Sequence, residues 1–163
     1  MLDKKKSKAL LTRKASIKDL EDILRLNFAL FKEEYKKYDK SLNLKWTYAE
    51  GKKYFKKRIA SKNGFVGIAE IKGEIAGYLC GGISKGKIYR KKAKYAELEN
   101  MVINGKLRGR GIGTMLVNDF LKWCKENRVG YISVTASVKN KQAADFYRKF
   151  GFKDYNLTLE REC

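Results

Sequence analysis

Three closely spaced glycines, interleaved with two arginines, form the stretch of this sequence best suited to holding an anionic ligand. Residues 108–114 read Arg-Gly-Arg-Gly-Ile-Gly-Thr, between a strand-like stretch and an amphipathic helical pattern. Glycines allow the backbone to turn tightly and to approach a ligand without a Cβ in the way. The first N–H groups of a helix have no acceptor within it, and the helix dipole adds positive charge there. The segment therefore predicts a phosphate site, with Arg108 and Arg110 as further hydrogen-bond donors.

Two other glycine-rich motifs do not describe this segment. A Walker A loop ends in Gly-Lys-Ser/Thr, whereas here Gly113 is followed directly by Thr114. A dinucleotide fingerprint has the spacing G-x-G-x-x-G in the first strand-to-helix turn, whereas here the spacing is G-x-G-x-G and the segment comes late in the chain. An ordinary glycine turn between a strand and a helix is the structural alternative.

Acid–base chemistry in this chain depends on residues other than histidine, because the sequence contains none. Glutamate, aspartate, tyrosine, lysine or water must serve as the base. Glu97 and Glu99 stand two positions apart in a strand-like stretch, and residues i and i+2 of a strand point to one face. We therefore expect both carboxylates to reach the same cleft, or, as the alternative, to face solvent from the strand.

Hydrophobic periodicity and turn residues predict one α/β layered domain over residues 1–163 in the order β-α-α-β-β-β-α-β-α-β. The predicted strands are 9–14, 65–71, 74–83, 95–103, 131–137 and 152–161, and the predicted helices are 17–35, 47–59, 113–127 and 142–150. Capping boxes are predicted at Ser16–Asp19 and Thr47–Glu50, and a compact hairpin turn at Lys72-Gly73.

Composition limits the class of protein and its surroundings. The formal net charge is +20, with lysines clustered in 4–8, 52–57 and 85–94, which indicates either attraction to polyanions or a solvated lysine-rich surface. Three cysteines at long spacings and no histidine disfavour a disulfide framework and a metal site. The absence of an apolar run of about 20 residues and of a secretory signal predicts no membrane association and a cytoplasmic location.

Two spaced motifs resemble those of a known family. The signature [RQ]-x-x-G-x-[GA] is matched at Arg108, Gly111 and Gly113. The signature N-x-x-A-x-x-x-Y-x-x-x-G-F is matched at Asn140, Ala143, Tyr147, Gly151 and Phe152. The sequence therefore resembles the GNAT superfamily of acyl-CoA-dependent N-acyltransferases, best over about residues 95–152. Gly105 stands where the family often has proline.

The resemblance implies a GNAT-like mixed central sheet of about six to seven strands flanked by about four helices. It implies acetyl-CoA as the acyl donor and no metal. The strands 95–103 and 131–137 should splay apart, and the pantetheine arm should enter between them beside the backbone of Met101, Val102 and Ile103. The residues expected to bind the donor elsewhere are Arg108, Gly109, Arg110, Gly111, Ile112, Gly113, Thr114, Asn140, Ala143 and Lys149.

The resemblance also implies catalytic roles. Glu97 matches the position of the catalytic glutamate in the histone-acetylating branch of the family, and Glu99 or water is the alternative base. Tyr147 matches the tyrosine that donates a proton to the CoA thiolate. On pattern alone Tyr147 would simply pack with Phe146 and Phe150. A base is needed because a lysine-type amine, with a pKa of about 10.4, is less than about one part in a thousand neutral at pH 7.

The acceptor is not determined by these motifs. A polyamine, another small-molecule amine, or a protein N-terminus or lysine all fit, and Glu33 and Glu34 would join the two strand glutamates in attracting a cation. Tyr35, Tyr38, Trp46 and Tyr48 line an acceptor groove or pack the first two helices together. The charge also favours association with nucleic acid or the ribosome. The rival functions are a nucleic-acid-binding protein and a non-catalytic acyl-CoA-binding protein, and a homodimer is compatible with each.

Overall fold

The computed structural model describes residues 10–87, 89–91 and 93–163. The strands are β1 (Leu10–Lys14), β2 (Gly64–Ile71), β3 (Glu74–Ser84), β4 (Tyr95–Ile103) and β5 (Tyr131–Val134). The helices are α1 (Leu20–Lys37), α2 (Glu50–Ala60), α3 (Ile112–Glu126) and α4 (Lys141–Arg148), with 3₁₀ turns at Ile17–Asp19, Trp46–Tyr48 and Gly105–Leu107. The first residue of the predicted strand 9–14 lies outside the described residues.

The described strands form one mixed sheet in the order β1-β2-β3-β4-β5. The first three pairings are antiparallel, and β5 joins β4 in parallel. The α/β architecture is as expected, but the described residues form five strands rather than six to seven. The strand predicted over 152–161 is wrong, because this segment has no strand assignment and is largely exposed. Alternation of apolar and polar residues indicates which side chains would share one face of a strand, but a strand also needs a neighbouring strand to hydrogen-bond with.

Each face of the sheet is covered by helices. On one face α3 packs on β2, β3 and β4, through a buried cluster that includes Ala96, Leu98, Ile112, Leu116 and Phe120. On the other face α1 and α2 pack through a second cluster that includes Leu20, Ile23, Phe55, Tyr78 and Val102. In the part of the chain that the structure describes, no helix is both long and apolar enough to cross a bilayer.

The first predicted capping box forms with aspartate in the glutamate position. The Asp19 carboxylate accepts hydrogen bonds from the backbone N–H of Ser16 at 2.7 Å and from its hydroxyl at 3.0 Å. Arg13 from β1 donates to both carboxylate oxygens of Asp19, at 3.0 and 2.9 Å. These bonds, that of Arg13 foremost, lower the pKa of Asp19 to about 2. The cap therefore also ties the start of α1 to the sheet.

The second predicted capping box, at Thr47–Glu50, is wrong. Thr47 lies in the 3₁₀ turn before α2 and is fully buried. Its hydroxyl donates to the Asn27 side-chain oxygen at 2.8 Å, and the Asn27 amide donates to the Tyr78 hydroxyl at 2.9 Å. Thr47 therefore closes a buried polar chain that links the turn, α1 and β3 instead of capping the helix.

We expect Thr47→Val to lower the free energy of unfolding by about 1–3 kcal/mol, because it leaves the buried Asn27 oxygen without its donor. Urea unfolding measures the change. In an Asn27→Leu background the same substitution should cost much less, since no acceptor remains to be left unpaired. An equal loss in both backgrounds would show that the hydrogen bond is not the cause.

Candidate active site

A β-bulge in β4 directs neighbouring polar side chains to one face of the sheet. Cys80 of β3 pairs with Asn100, and the next residue, Gly81, pairs with Leu98, so Glu99 is the extra residue. As a result, the Tyr54 hydroxyl of α2 donates to the Glu99 carboxylate and accepts a hydrogen bond from the Asn100 amide. Bulges of this kind re-aim side chains and occur frequently beside active sites.

The parallel strands β4 and β5 separate where the bulge occurs. Pairing of β4 with β5 ends at Leu98 and Val134, whereas β4 stays paired with β3 as far as Ile103. The backbone N–H and C=O groups of 99–103 that point away from β3 therefore face a space, called here the β4–β5 gap. The divergence inferred from the family resemblance is present in the structure.

Of the three residues expected beside the pantetheine, Met101 and Ile103 direct their backbone groups toward the β4–β5 gap, because they alternate with Val102, whose groups face β3. Val102 is buried in the cluster under α1 and α2, while Met101 and Ile103 pack against the cluster under α3. Because their side chains are occupied in the two cores, what they can offer a ligand is main-chain hydrogen bonding. An extended ligand arm can use such groups as an additional strand would.

The glycine segment forms an open turn at the start of α3. Gly109 and Gly111 adopt φ values of +76° and +78°, and a Cβ built on either would meet nothing within 4 Å. Gly113 is different, because a Cβ there would lie 3.3 Å from Phe146 of α4 and 3.5 Å from Met101. The positive φ values explain the first two glycines, and close packing explains the third.

This turn fits a diphosphate. Helix α3 begins at Ile112, whose side chain is buried, and its first turn carries no acidic residue. The earliest N–H groups of the helix point out of its N-terminus toward the open side of the turn. Ile112 anchors the turn, and the Thr114 hydroxyl stands exposed beside it. The donor set suits the CoA diphosphate.

The two arginines of the signature are placed differently. Arg108 donates to both Glu33 carboxylate oxygens, at 3.1 and 2.7 Å, and to the Ile103 carbonyl at 3.3 Å. The hydrogen bonds that Glu33 accepts from Arg108, and one from Lys37, lower the pKa of Glu33 to about 2. Arg110 is exposed and makes no hydrogen bond within the described residues. Arg108 therefore ties α1 to the glycine turn, whereas the Arg110 guanidinium has no partner among the described residues.

The asparagine of the second signature is a helix cap. Its side-chain oxygen accepts the Ala143 N–H at 3.1 Å, and Asn140 is the N-cap of α4. Capping explains the Asn-x-x-Ala spacing without a ligand. Lys149 is exposed at the other end of α4. Neither the Asn140 nor the Lys149 side chain makes a hydrogen bond to the glycine turn within the described chain.

Glu99 is held by hydrogen bonds from two residues of α2 that were not among those predicted for the site. Arg58 of α2 donates to both of its carboxylate oxygens, with Nε at 2.9 Å, and the Tyr54 hydroxyl donates to one of them. Tyr54 and Arg58 stand four residues apart on one face of α2, which is the only local signal for this pair. Asn100, beside them, has a buried side-chain oxygen with no hydrogen-bond partner in the described chain.

Glu97 is the carboxylate that remains available on β4. Its neighbours Ala96 and Leu98 point into the cluster under α3, so Glu97 points to the opposite face, with Glu99. It makes no hydrogen bond or ion pair with any described residue. Burial raises its pKa, the charge of Glu99 raises it further, and Arg58 lowers it. The two glutamates therefore share a face, as expected, and Glu97 is the one without a partner among the described residues.

Tyr147 lies on the inner side of α4. Its ring packs against Phe146 and Phe152 at the margin of the core under α3. Its hydroxyl has no hydrogen-bond partner among the described residues. Burial, and then the charge of Glu34, raises the pKa of Tyr147 to about 12. Glu34 itself is half-buried on α1, and its pKa is raised by burial and by Glu33 and Asp39.

A known protein family matches most of the chain. The model of the acetyltransferase (GNAT) family matches residues 20–152, from the start of α1 to the end of the second signature. This chain belongs to the GNAT acetyltransferase family. The match confirms the resemblance inferred from two motifs, and it extends further toward the N-terminus, through α1 and α2.

Individual relatives agree with this assignment. An uncharacterised N-acetyltransferase of Methanocaldococcus jannaschii is 32% identical over 142 residues, which are 83% of this chain and 57% of that protein. The chain thus spans just over half the length of this relative. An N-alpha-acetyltransferase of Sulfurisphaera tokodaii is 25% identical over 158 residues, covering 94% of this chain and 86% of that one.

The fold is that of solved GNAT-type structures. A crystal structure of a predicted acetyltransferase from Clostridium acetobutylicum, with acetyl-CoA, superposes with a TM-score of 0.76 at 23% identity. The match covers 94% of this chain and 96% of that one. The five-stranded sheet and four helices described here therefore represent the GNAT fold, with fewer strands than expected.

Proposed function

We propose that this chain transfers the acetyl group of acetyl-CoA to the α-amino group at the N-terminus of a polypeptide, with Glu97 as the general base. The observation that carries the proposal is the position of Glu97. It lies one residue before β4 and β5 part, half-buried and without a partner, on the strand that leads to an open glycine turn at a helix start. Family membership supplies the reaction class.

Two backbone features, the start of α3 and the part of β4 that faces the β4–β5 gap, would bind acetyl-CoA. The N–H groups at the start of α3, with Arg110, would hold the diphosphate. The main-chain groups of Met101 and Ile103 that face the β4–β5 gap would pair with the pantetheine arm. The Met101 N–H would donate to the thioester carbonyl oxygen, where negative charge develops as the amine attacks. Arg108 would contribute indirectly, by fixing the turn to α1 through Glu33.

Proton transfer would use two groups with raised pKa values. Glu97, whose pKa is raised by burial and by Glu99, would take the proton that the amine loses. Tyr147, with a pKa of about 12, stays protonated at ordinary pH and so would supply a proton to the departing sulfur. Because an ordinary thiol has a pKa of about 8.5, this transfer is uphill and must accompany bond breaking.

The α-amine suits a carboxylate base better than a lysine side chain does. With a pKa of about 7.7–8.0, an α-amino group is roughly a tenth neutral at pH 7, against less than about one part in a thousand for lysine. Glu34 carries no partner in the described chain and would attract the cationic form toward Tyr147. The relative from Sulfurisphaera tokodaii, described as an N-alpha-acetyltransferase, also favours this acceptor.

The test compares matched acceptors with purified protein and acetyl-CoA. One peptide has a free N-terminus and no lysine, a second has the same sequence with a blocked N-terminus and one lysine, and spermidine is the third. CoA release and product mass are measured. We expect kcat/KM for the first peptide to exceed the others at least about tenfold, given the difference in neutral amine. Faster reaction with lysine or spermidine would overturn the acceptor, and no reaction with any would overturn the transferase.

Tyr147→Phe should lower kcat roughly 10- to 100-fold, because it removes the proton donor and keeps the ring. The Kd for acetyl-CoA should change little, since the hydroxyl is not among the groups proposed to bind the donor. Steady-state kinetics and calorimetry measure the two quantities. An unchanged kcat would reduce Tyr147 to a packing residue, a role that phenylalanine fills equally well.

We also propose that the reaction takes place in a reducing cytoplasm. Cys80, Cys124 and Cys163 are all free thiols. Burial raises the pKa of both Cys80 and Cys124 to about 12, so these two stay protonated and unreactive. Cys124 packs in the apolar cluster under α3, whereas the Cys80 sulfur also lies 3.4 Å from the Tyr54 hydroxyl.

A further inference from the structure

An aromatic cluster lies at the end of the sheet opposite the glycine turn. The parallel strands β4 and β5 begin with Tyr95 and Tyr131, whose rings stack with centroids 5.3 Å apart. The β4–β5 gap opens at the other end of β4, near Ile103. At about 3.3 Å per residue, the ends of β4 are roughly 26 Å apart. The cluster is therefore separate from the proposed acetyl-transfer site.

Arg90 lies within this cluster on the faces of three tyrosines. The guanidinium carbon is 5.3 Å from the Tyr95 ring centroid, 4.9 Å from that of Tyr131 and 4.8 Å from that of Tyr155. None of the carboxylates that the structure describes forms an ion pair with Arg90. Cation–π contacts thus hold the planar group in place while its N–H edges stay available for an anion.

Three tyrosine rings of this end of the sheet are presented to solvent. The exposed fractions are 76% for Tyr89, 67% for Tyr155 and 47% for Tyr131. The Lys87 ammonium lies 5.9 Å from the Tyr89 ring. Exposed aromatic rings beside cationic groups are the arrangement on which unpaired bases stack while phosphates meet lysine and arginine.

The chain segments around the cluster are basic and contain no acid. No aspartate or glutamate occurs in residues 81–96 or 127–134, the stretches that end β3, begin β4, and lead into and form β5. The described basic residues there are Lys85, Lys87, Arg90, Lys91, Lys94 and Arg128. Asp154, beside Tyr155, is paired with Arg148 at 2.9 Å. Local charge therefore favours a polyanion.

We propose that Tyr89, Arg90, Tyr131 and Tyr155 form a binding surface for single-stranded nucleic acid, called here the Arg90 surface. The exposed rings stack with bases, and Arg90 and the neighbouring lysines contact phosphates. A single strand fits better than a duplex, because paired bases do not present their faces to side chains. Such a surface would bring the acetyltransferase to an RNA-containing assembly without occupying its reaction site.

Fluorescence anisotropy of the full chain tests this proposal. The probes are a labelled 12-nucleotide oligouridine and a labelled 12-base-pair RNA duplex, each titrated at several salt concentrations. We expect the single strand to bind more tightly than the duplex, and its affinity to fall with salt as lysine–phosphate contacts weaken. Tyr89→Ser should weaken oligouridine binding roughly 5- to 100-fold, the range for one stacked base.

Matched variants separate stacking from charge. Arg90→Lys keeps the charge and loses the planar contact, so we expect weaker oligouridine binding. Tyr48→Ser removes another exposed tyrosine, 52% exposed and on the turn before α2, and should leave the affinity unchanged. Acetyl-CoA affinity, measured on each variant, reports whether the fold is intact. Because Tyr89 is largely exposed, its replacement keeps the test independent of folding.

Three results would overturn the proposal. Displacement of oligouridine by saturating acetyl-CoA would place the strand at the glycine turn instead. Equal affinity for single strand and duplex, unaffected by Tyr89→Ser and Arg90→Lys, would leave only a non-specific lysine surface. Tighter binding of a polyglutamate peptide than of oligouridine, sensitive to the same variants, would indicate an acidic protein partner. Unchanged oligouridine affinity in saturating acetyl-CoA supports two separate sites.

Discussion

Glu97→Gln is expected to lower kcat/KM roughly 100- to 10,000-fold, the range for loss of a general base. Glutamine has nearly the same shape as glutamate and cannot accept the proton of the amine. The Kd for acetyl-CoA should stay within about twofold, because the donor is proposed to bind through backbone groups of β4 and α3. Peptide acetylation kinetics and calorimetry measure both quantities.

The pH profile of the same variants distinguishes the two strand glutamates. A base acts when deprotonated, so wild-type kcat/KM should fall as pH drops through the pKa of Glu97, which lies above the usual glutamate value. Glu97→Gln should lack this acidic limb. Glu99→Gln should keep the limb and move it to lower pH, because the charge of Glu99 helps to raise the pKa of Glu97 and Arg58 would lose its partner. The reverse pattern would assign the base to Glu99.

Gly111→Asp is expected to weaken acetyl-CoA binding roughly 100-fold or more. A carboxylate about 5 Å from a phosphate at an effective dielectric of about 20 costs about 3 kcal/mol. The space above Gly111 is open, so the carboxylate meets the ligand and not the protein. Calorimetry with acetyl-CoA measures the loss.

Gly111→Asn is the matched control for that prediction. Its side chain has the same size without the charge, and asparagine, like aspartate, tolerates the positive φ of this position better than most residues. We expect the asparagine variant to keep most of its affinity. Equal loss in both variants would attribute the effect to backbone strain or bulk, and the phosphate assignment would lose its support.

Features fixed by local chemistry could be predicted from the sequence. The Lys72-Gly73 turn was expected, and both residues adopt the positive φ that a two-residue hairpin of this kind requires, +53° and +83°. The Ser16–Asp19 cap forms because its donors and acceptor lie within one turn. The glycine segment opens α3 as expected, since a strand, three glycines and an apolar stripe follow one another in the chain.

Features that depend on distant partners could not be predicted. The bulge at Glu99 is set by how β4 pairs with β3, which no periodicity within β4 specifies. The ion pairs of Glu99 with Arg58 and of Arg108 with Glu33 join residues 41 and 75 positions apart. These ion pairs leave Glu97 and Arg110 as the members without a partner among the described residues. Motif matching therefore identifies the residue types of the site but not which of them are already engaged in ion pairs.

Local patterns also failed where tertiary contacts compete with them. The Thr47–Glu50 spacing matches a capping box, yet the Thr47 hydroxyl meets a buried acceptor in Asn27 and is drawn inward. Two of the aromatic residues considered for an acceptor groove pack against α1, since the Trp46 ring stacks on Phe31 with centroids 5.3 Å apart and the Tyr48 ring lies 5.4 Å from that of Phe28. In each case a contact across the fold is stronger than the local preference.

A crystal structure of the chain grown with CoA tests the central claim most directly. The account predicts the diphosphate within hydrogen-bond distance of the N–H groups at the start of α3, and the pantetheine arm in the β4–β5 gap beside Met101 and Ile103. The free end of that arm should point toward Glu97 and Tyr147. A glycine turn without the diphosphate, and CoA bound at another place on the protein, would contradict the account.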